Sequence, residues 1–291
     1  MAETTRTLSV TKLVSTLVLA AGMLLPMSLF AMEEVPFVTT PDNVTLEMLR
    51  IADVGPGDHV IDLGSGDGRI VILAAKRFGA RGLGVEIVPE LVRQSIDNAK
   101  RAGVEARAEF REQDIFKTDL APATVVTLYL LPDVNLALRP TILSLRPGTR
   151  IVSHDWDMGD WKPERTVVVP VPEKKIGREK ISRVHLWTVP ANVDGLWCGL
   201  DQMRGTTLQF NQTFQQFAGV LARDGSTRQF GGRIDGAALN STDRAAVDIT
   251  LELQGEHLRV TQAGGQSSAL QQAAFAKSTS GKCPGIQKVA Q

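Results

Sequence analysis

The sequence predicts an α/β fold: a doubly wound, mostly parallel seven-stranded sheet, followed by a small antiparallel β domain. Three observations carry that expectation. The apolar run Val60-Ile61-Asp62-Leu63 leads into a glycine-rich turn, Gly64-Ser65-Gly66-Asp67-Gly68, and then into a helical stretch, Ile70 to Ala75. Acidic residues, Glu86 and Asp114, stand where the next two strands read as ending. From Gly195 onward the chain becomes rich in Gly, Gln, Ser and Thr, and alternating apolar positions replace helical periodicity.

Taken in order, the first segment reads as a targeting sequence. Arg6 and Lys12 precede an uncharged stretch from Leu13 to Met32, with Glu33 and Glu34 directly after it. A basic start and an apolar centre predict a signal peptide over residues 1–31, cleaved after Ala31. Leu29 is large for the position three before that cut, so an uncleaved membrane anchor is the alternative. Either reading exports the rest of the chain to a bacterial periplasm or ties it to a membrane; a translation start at Met32 would leave it in the cytoplasm. Asp42 is expected to cap a helix running through Ala52, and Gly55-Pro56-Gly57-Asp58 to turn into the first strand. Gly82 to Ile87 reads as the second strand, Pro89 to Ala102 as a helix, and Ala108 to Phe116 as a third strand running into Asp114. Ala123 to Leu130 is almost continuously apolar, the pattern of a buried parallel strand. A helix over Asp133 to Leu145, a fifth strand over Thr149 to Ser153, and an antiparallel pair over Arg165 to Val171 and Ile181 to Val189 complete a domain spanning 32–190. In the second domain, 191–291, the runs Thr206 to Phe214, Phe230 to Leu239, Val247 to Leu253 and the stretch around Leu258 and Val260 read as strands, with Trp197 as a core plug.

The glycines at 64, 66 and 68 give G-x-G-x-G behind Asp62. A dinucleotide fingerprint would need glycine where Arg69 stands, and no Gly-Lys-Ser/Thr follows to make a Walker A loop. The spacing resembles motif I of class I S-adenosylmethionine (SAM) methyltransferases, whose Rossmann-like fold implies SAM as cofactor. In such a sheet Glu86 can accept hydrogen bonds from both ribose hydroxyls. Asp114 can accept from the adenine amino group while Ile115 packs on the ring.

Further pieces narrow the resemblance. Pro36-Phe37-Val38-Thr39-Thr40-Pro41 precedes the first helix, Tyr129-Leu130-Leu131-Pro132 follows the fourth strand, and Trp161 follows the fifth. With the Asp-Leu-Gly-Ser-Gly-Asp-Gly-Arg turn, Gly84-Val85-Glu86 and Asp114, these make Pro36 to Val189 resemble the ATP synthase c-subunit lysine methyltransferases and their bacterial relatives, and more distantly the non-SET histone lysine methyltransferase. The resemblance implies a protein-lysine acceptor, and a role for Thr40 at the methionine end of SAM. The stretch His154-Asp155-Trp156-Asp157 is more acidic than the family pattern. Asp62, Gly64, Ser65, Gly66, Gly68, Glu86, Asp114 and Ile115, with Thr40, are the expected cofactor residues. Tyr129, at the end of the fourth strand, would border the methyl group, and His154 and Asp155 are candidate bases or acceptor-orienting groups. No Asn/Asp-Pro-Pro-Tyr/Phe sequence follows the fourth strand, which argues against a base-amine methyltransferase of that type.

Composition bounds the partners. Lys+Arg and Asp+Glu are each 32, so the chain lacks the basic excess of a phosphate-contacting protein, and a nucleic-acid partner is not expected. A protein substrate, membrane-associated in view of the apolar N-terminal stretch, is. The hydrophobic share of 43% suffices for a sizeable core. The two cysteines, Cys198 and Cys283, bracket the second domain and read as a disulfide in an exported protein. Histidines 59, 154, 185 and 257 are scattered without ligand spacing, so no metal is expected. The competing readings are an exported non-catalytic binding module on a methyltransferase-like scaffold, and a small-molecule methyltransferase.

Overall fold

Residues 38–174, 179–242 and 247–284 are described by the structure, a computed structural model. The predicted signal segment, 1–31, lies outside them. The chain enters through α1 (Asp42–Ile51) and then alternates: β1 (His59–Leu63), α2 (Arg69–Phe78), β2 (Arg81–Glu86), α3 (Pro89–Ala102), β3 (Ala108–Glu112), β4 (Val125–Leu128), α4 (Pro132–Leu143), β5 (Arg150–His154), then β6 (Arg165–Pro170) and β7 (Ile181–Thr188). The seven strands lie in the order β3-β2-β1-β4-β5-β7-β6. All neighbours are parallel except β7, which runs antiparallel to both β5 and β6. Val125, Val126 and Leu128 are inaccessible to solvent, as a central strand covered on both faces requires.

Local chemistry sets the helix ends. Gly79 and Gly103 adopt the left-handed conformation that closes α2 and α3, and Pro89 opens α3, where a missing N–H costs nothing. Asp42 is the first helical residue of α1 rather than its cap; Pro41 precedes it, and no side chain caps this end. The third strand stops at Glu112, short of Asp114, because Asp114 instead caps a 3-10 turn over Ile115–Lys117.

The second lobe is a closed antiparallel barrel. Its strands are β8 (Gly195–Gly199), β9 (Thr207–Thr213), β10 (Gln216–Arg223), β11 (Ser226–Asp235), β12 (Ala238–Ser241), β13 (Ile249–Gln254), β14 (His257–Ala263) and β15 (Ala274–Lys277), and β15 pairs back onto β8. The run Phe230 to Leu239, read as one strand, is two: the chain turns over at Gly236 (φ 53°) and β12 folds back on β11. The interior is solid. Phe210, Phe217 and Phe230 meet edge to face with centroids 5.3, 5.7 and 5.9 Å apart, and Trp197 and Phe275 are buried beside them. Gly219 leaves the room these rings need, since a Cβ there would stand 2.7 Å from the Phe230 ring. Cys198 and Cys283 are disulfide-bonded across 5.4 Å between their Cα atoms.

The two lobes interlock. The turn between β9 and β10 carries Phe214 and Gln215 onto Trp161, which is wholly buried. Trp161 Nε1 donates to Gln215 Oε1 at 2.7 Å, and Gln215 Nε2 donates to Glu164 Oε1 and to the Thr188 carbonyl. Arg139 of α4 lies over the Phe214 ring, 5.6 Å from its centroid.

Candidate active site

Side chains with chemistry gather at the carboxyl edge of the sheet, where the glycine turn leaves β1. Gly64, Gly66 and Gly68 have φ of 77°, 52° and 81°, values that side-chain-bearing residues avoid. The amides of Gly64 and Ser65 both donate to the Val85 carbonyl at 2.9 Å, pinning the turn to β2. At the end of β2, Glu86 receives the Gly66 amide on Oε2 (3.0 Å) and the amides of Ile87 and Val88 on Oε1. One carboxylate thus organises both the glycine turn and the start of α3. Asp62 is buried, and its Oδ1 accepts from Thr127 Oγ1 at 2.7 Å. Burial, reinforced by repulsion from Glu86 and Asp67 and opposed by the Thr127 hydrogen bond, pushes its carboxyl up to about 7. The Ser65 hydroxyl is buried with no hydrogen-bond partner among the described residues. Asp114 accepts from the Phe116 amide at 2.9 Å and sits 3.7 Å from Lys117 Nζ, while Ile115 packs partly into the core.

Two residues without a role in the sequence reading complete this half. Asp67 grips the Arg69 guanidinium through both carboxylate oxygens, at 2.9 and 2.6 Å. Arg69 in turn donates to the Thr40 carbonyl at 2.8 Å. The Thr-Pro approach is thereby tied to the glycine turn, and Asn98 of α3 holds the Asp67 carbonyl. The Asp-Gly-Arg tripeptide was the visible signal; its partner 29 residues upstream was not.

The acceptor half centres on Tyr129 and His154. Their rings stack with centroids 3.9 Å apart. Burial, then the nearby Asp155 charge, raise the Tyr129 hydroxyl above its ordinary value. His154 is only 1% exposed, and burial drives it down to about 4, so it is neutral at pH 7. Its Nδ1 meets Thr40 Oγ1 at 3.3 Å and its Nε2 meets Ser182 Oγ at 2.8 Å. Ser182 Oγ also receives Lys174 Nζ, and Asp155 Oδ2 lies 3.5 Å from His154 Nε2, so both ring nitrogens of His154 face polar neighbours. Asp155 (φ 62°) is held by Lys174 Nζ at 2.6 Å and by the Arg183 amide at 2.8 Å. The chain Asp155–Lys174–Ser182–His154–Thr40 links the expected acceptor residues to the expected methionine-end residue. Trp161 is not part of this group, being buried against the barrel. Trp156, inside the acidic stretch, is instead an exposed aromatic at 43%, and Ile87, Phe116 and Leu131 are exposed past the ends of β2, β3 and β4.

A glycine turn at the carboxyl edge of a sheet in this strand order, with carboxylates at the ends of β1 and β2 and just past β3, defines a class I SAM-dependent methyltransferase. The buried Ser65 hydroxyl, without a hydrogen-bond partner among the described residues, suits a polar nucleoside cofactor at this edge, while the bare Gly64 and Gly68 make room for Leu130 and for Phe110 and Ser95. Sequence comparison agrees. The family described as ANTKMT methyltransferase domain matches residues 62–165. The protein-lysine N-methyltransferase of Saccharolobus islandicus (strain REY15A) is 44% identical over 137 residues, 46% of this chain and 85% of that protein. The ATP synthase c-subunit lysine N-methyltransferase of Mus musculus is 34% identical over 132 residues, 45% of this chain, and the chain spans only 53% of its length. A solved RNA methyltransferase from Salinibacter ruber, in complex with S-adenosyl-L-homocysteine, is 51% identical, with 54% of this chain and 96% of that one covered and a TM-score of 0.49. The chain belongs to the SAM-dependent methyltransferase family that includes the archaeal protein-lysine enzyme.

Proposed function

We propose that the protein methylates the ε-amino group of a lysine in a membrane-associated protein, and that it works outside the cytoplasm or attached to a membrane. One observation carries the lysine reading: Tyr129 stacks on the neutral His154 and leads into the exposed Leu131, which gives the acceptor edge an uncharged aromatic and aliphatic side beside the Asp155–Lys174 pair. An amine must lose its proton before it can attack, and a low-dielectric mouth favours the neutral form. The similarity to the archaeal protein-lysine enzyme supports the same acceptor.

When bound, SAM supplies an already activated sulfonium methyl. In our reading Thr40 and the turn Gly64, Ser65, Gly66 and Gly68, backed by Asp62, hold its methionine end. Glu86 takes the ribose hydroxyls, Asp114 the adenine amino group, and Ile115 one face of the ring. Tyr129 borders the transferred methyl. His154 is too weakly basic at about 4 to deprotonate an ammonium at neutral pH, and Asp155 is engaged by Lys174 and Arg183. Both are therefore positioning residues, which hold Tyr129 and Thr40 in place, and the lysine proton leaves to solvent. Export is supported by the basic-then-apolar residues 1–31 and by the Cys198–Cys283 bond. Among the described residues no helix is long and apolar enough to cross a membrane, so attachment would rest on the N-terminal stretch.

Envelope proteomes from cells with and without the gene test this. One or a few methyl-lysine sites are expected to vanish with the gene. Identical proteomes, with labelled methyl passing from SAM to RNA or a small metabolite in extracts, would overturn the proposal.

A further inference from the structure

The barrel has a cavity of about 340 Å³ at its far end that plays no part in methyl transfer. Strand β10 runs from Gln216, beside the turn docked on Trp161, to Arg223, so the β10–β11 turn and this cavity lie at the end away from the other lobe. Directly opposed residues of an antiparallel pair share a face. Leu221, opposite Arg228, is buried in the barrel core. Arg228 therefore faces inward, two residues from the core ring of Phe230, and Arg223 shares that face two residues beyond Leu221.

The two arginines differ in their partners. Arg223 Nε pairs with Asp224 Oδ2 at 3.3 Å. Arg228 has no such counter-charge among the described residues: its Nη1 is fully buried without a hydrogen-bond partner. Arg228 is partly exposed, but its Nη1 is an N–H donor removed from water with nothing to receive it, an arrangement that costs free energy until an acceptor fills the place. Here that group lines a cavity also walled by Ser226, Gln266 and Ser267, with Leu221 and Leu270 as apolar floor.

We propose that this barrel mouth binds a compact ligand through an oxyanion, a carboxylate or a phosphate, with the half-buried Arg228 engaging it in a two-point fork that gives its orphaned Nη1 an acceptor. Ser226, Gln266 and Ser267 supply further hydrogen bonds, and Leu221 and Leu270 receive a small apolar part. The cavity lies at the small end of ligand pockets. Phe210, Phe217, Phe230 and Phe275 fill the barrel below it, so a long acyl chain has nowhere to go.

The test uses the full chain, with its disulfide intact, titrated with inorganic phosphate and separately with N-acetylglycine. Heat by calorimetry and the Arg228 side-chain N–H signals by NMR are followed together. Saturable binding with a shift of those signals is expected, and the tighter probe tells phosphate from carboxylate as the natural group. Arg228→Met should weaken binding roughly tenfold or more, and Arg228→Lys, which keeps the charge without the fork, by less. No saturation with either probe at millimolar concentration, or binding that leaves the Arg228 signals unmoved or survives Arg228→Met, would overturn the site. The NMR reading of the unaltered protein decides the matter even if a variant fails to fold.

Discussion

Glu86 shows how much a single side chain carries here. Its two oxygens already receive three backbone amides, those of Gly66, Ile87 and Val88, so the group that would read the ribose also fixes the loop that would approach the cofactor. Glu86→Ala is expected to cost on the order of 1–3 kcal/mol of SAM affinity, measured by calorimetry on folded protein. Unchanged affinity would remove Glu86 from the site. His154 allows a pH prediction. Its folded value of about 4 lies below the ordinary 6.5, so the native state refuses a proton that the unfolded chain accepts. Its contribution is complete above pH 6.5 and is lost as pH falls toward and through 4, by about 3 kcal/mol in all. Asp62, raised to about 7, acts in the opposite sense over the same window. A difference measurement cancels it. The stability gap between wild type and His154→Gln in urea should therefore narrow by about that amount between pH 7 and pH 4; a constant gap would mean that His154 is not held neutral.

At the scale of elements, the inserted strand β7 matters most. Pairing β7 between β5 and β6 sets His154 opposite Val184 and Ser153 opposite His185, which carries Ser182 and Arg183 to the end of β5. The acceptor side is thus braced by a strand that contributes no reacting group. The turn between β9 and β10 plays a comparable part for the barrel. Gln215 satisfies the buried Trp161 Nε1 and reaches Glu164 and the Thr188 carbonyl. Gln215→Ala would strand that indole N–H, at a cost of about 1–3 kcal/mol visible in equilibrium unfolding. A neutral effect would show that the lobes are joined by apolar contact alone.

For the whole molecule, the methyltransferase lobe and the barrel have separate cores but one seam, so stability and chemistry divide between them. The Cys198–Cys283 bond spans 85 residues and closes the barrel lobe. Reducing it should lower barrel stability by roughly 2–4 kcal/mol while S-adenosylhomocysteine binding by the other lobe persists. Loss of cofactor binding on reduction would instead make the barrel a required support for the site. Mass spectrometry of protein never exposed to reductant should recover the two cysteines as one linked peptide pair.

Much of the fold was legible in the chain because its cues are local. A strand, a glycine turn and a helix follow one another within twenty residues, and left-handed turn positions demand glycine whatever lies around them. Alternation marked β9, β13 and β14 and parts of β11 and β12, but β8, β10 and β15 were not read as strands, and the Gly236 turn was hidden inside Phe230 to Leu239, because an apolar pattern continues through a tight hairpin. The site was legible as a set of positions but not as a set of states. Nothing near His154 in the chain reveals that Thr40, 114 residues away, and Ser182, 28 residues away, occupy its two nitrogens. Neither Trp161 nor Arg69 announces its partner. The chain by itself determined the class of fold and where the acids and glycines fall, since these rest on backbone preference and periodicity. Sheet order and burial settled which of those groups are neutral and which are paired, because charge and hydrogen bonding depend on neighbours that only long-range packing brings together.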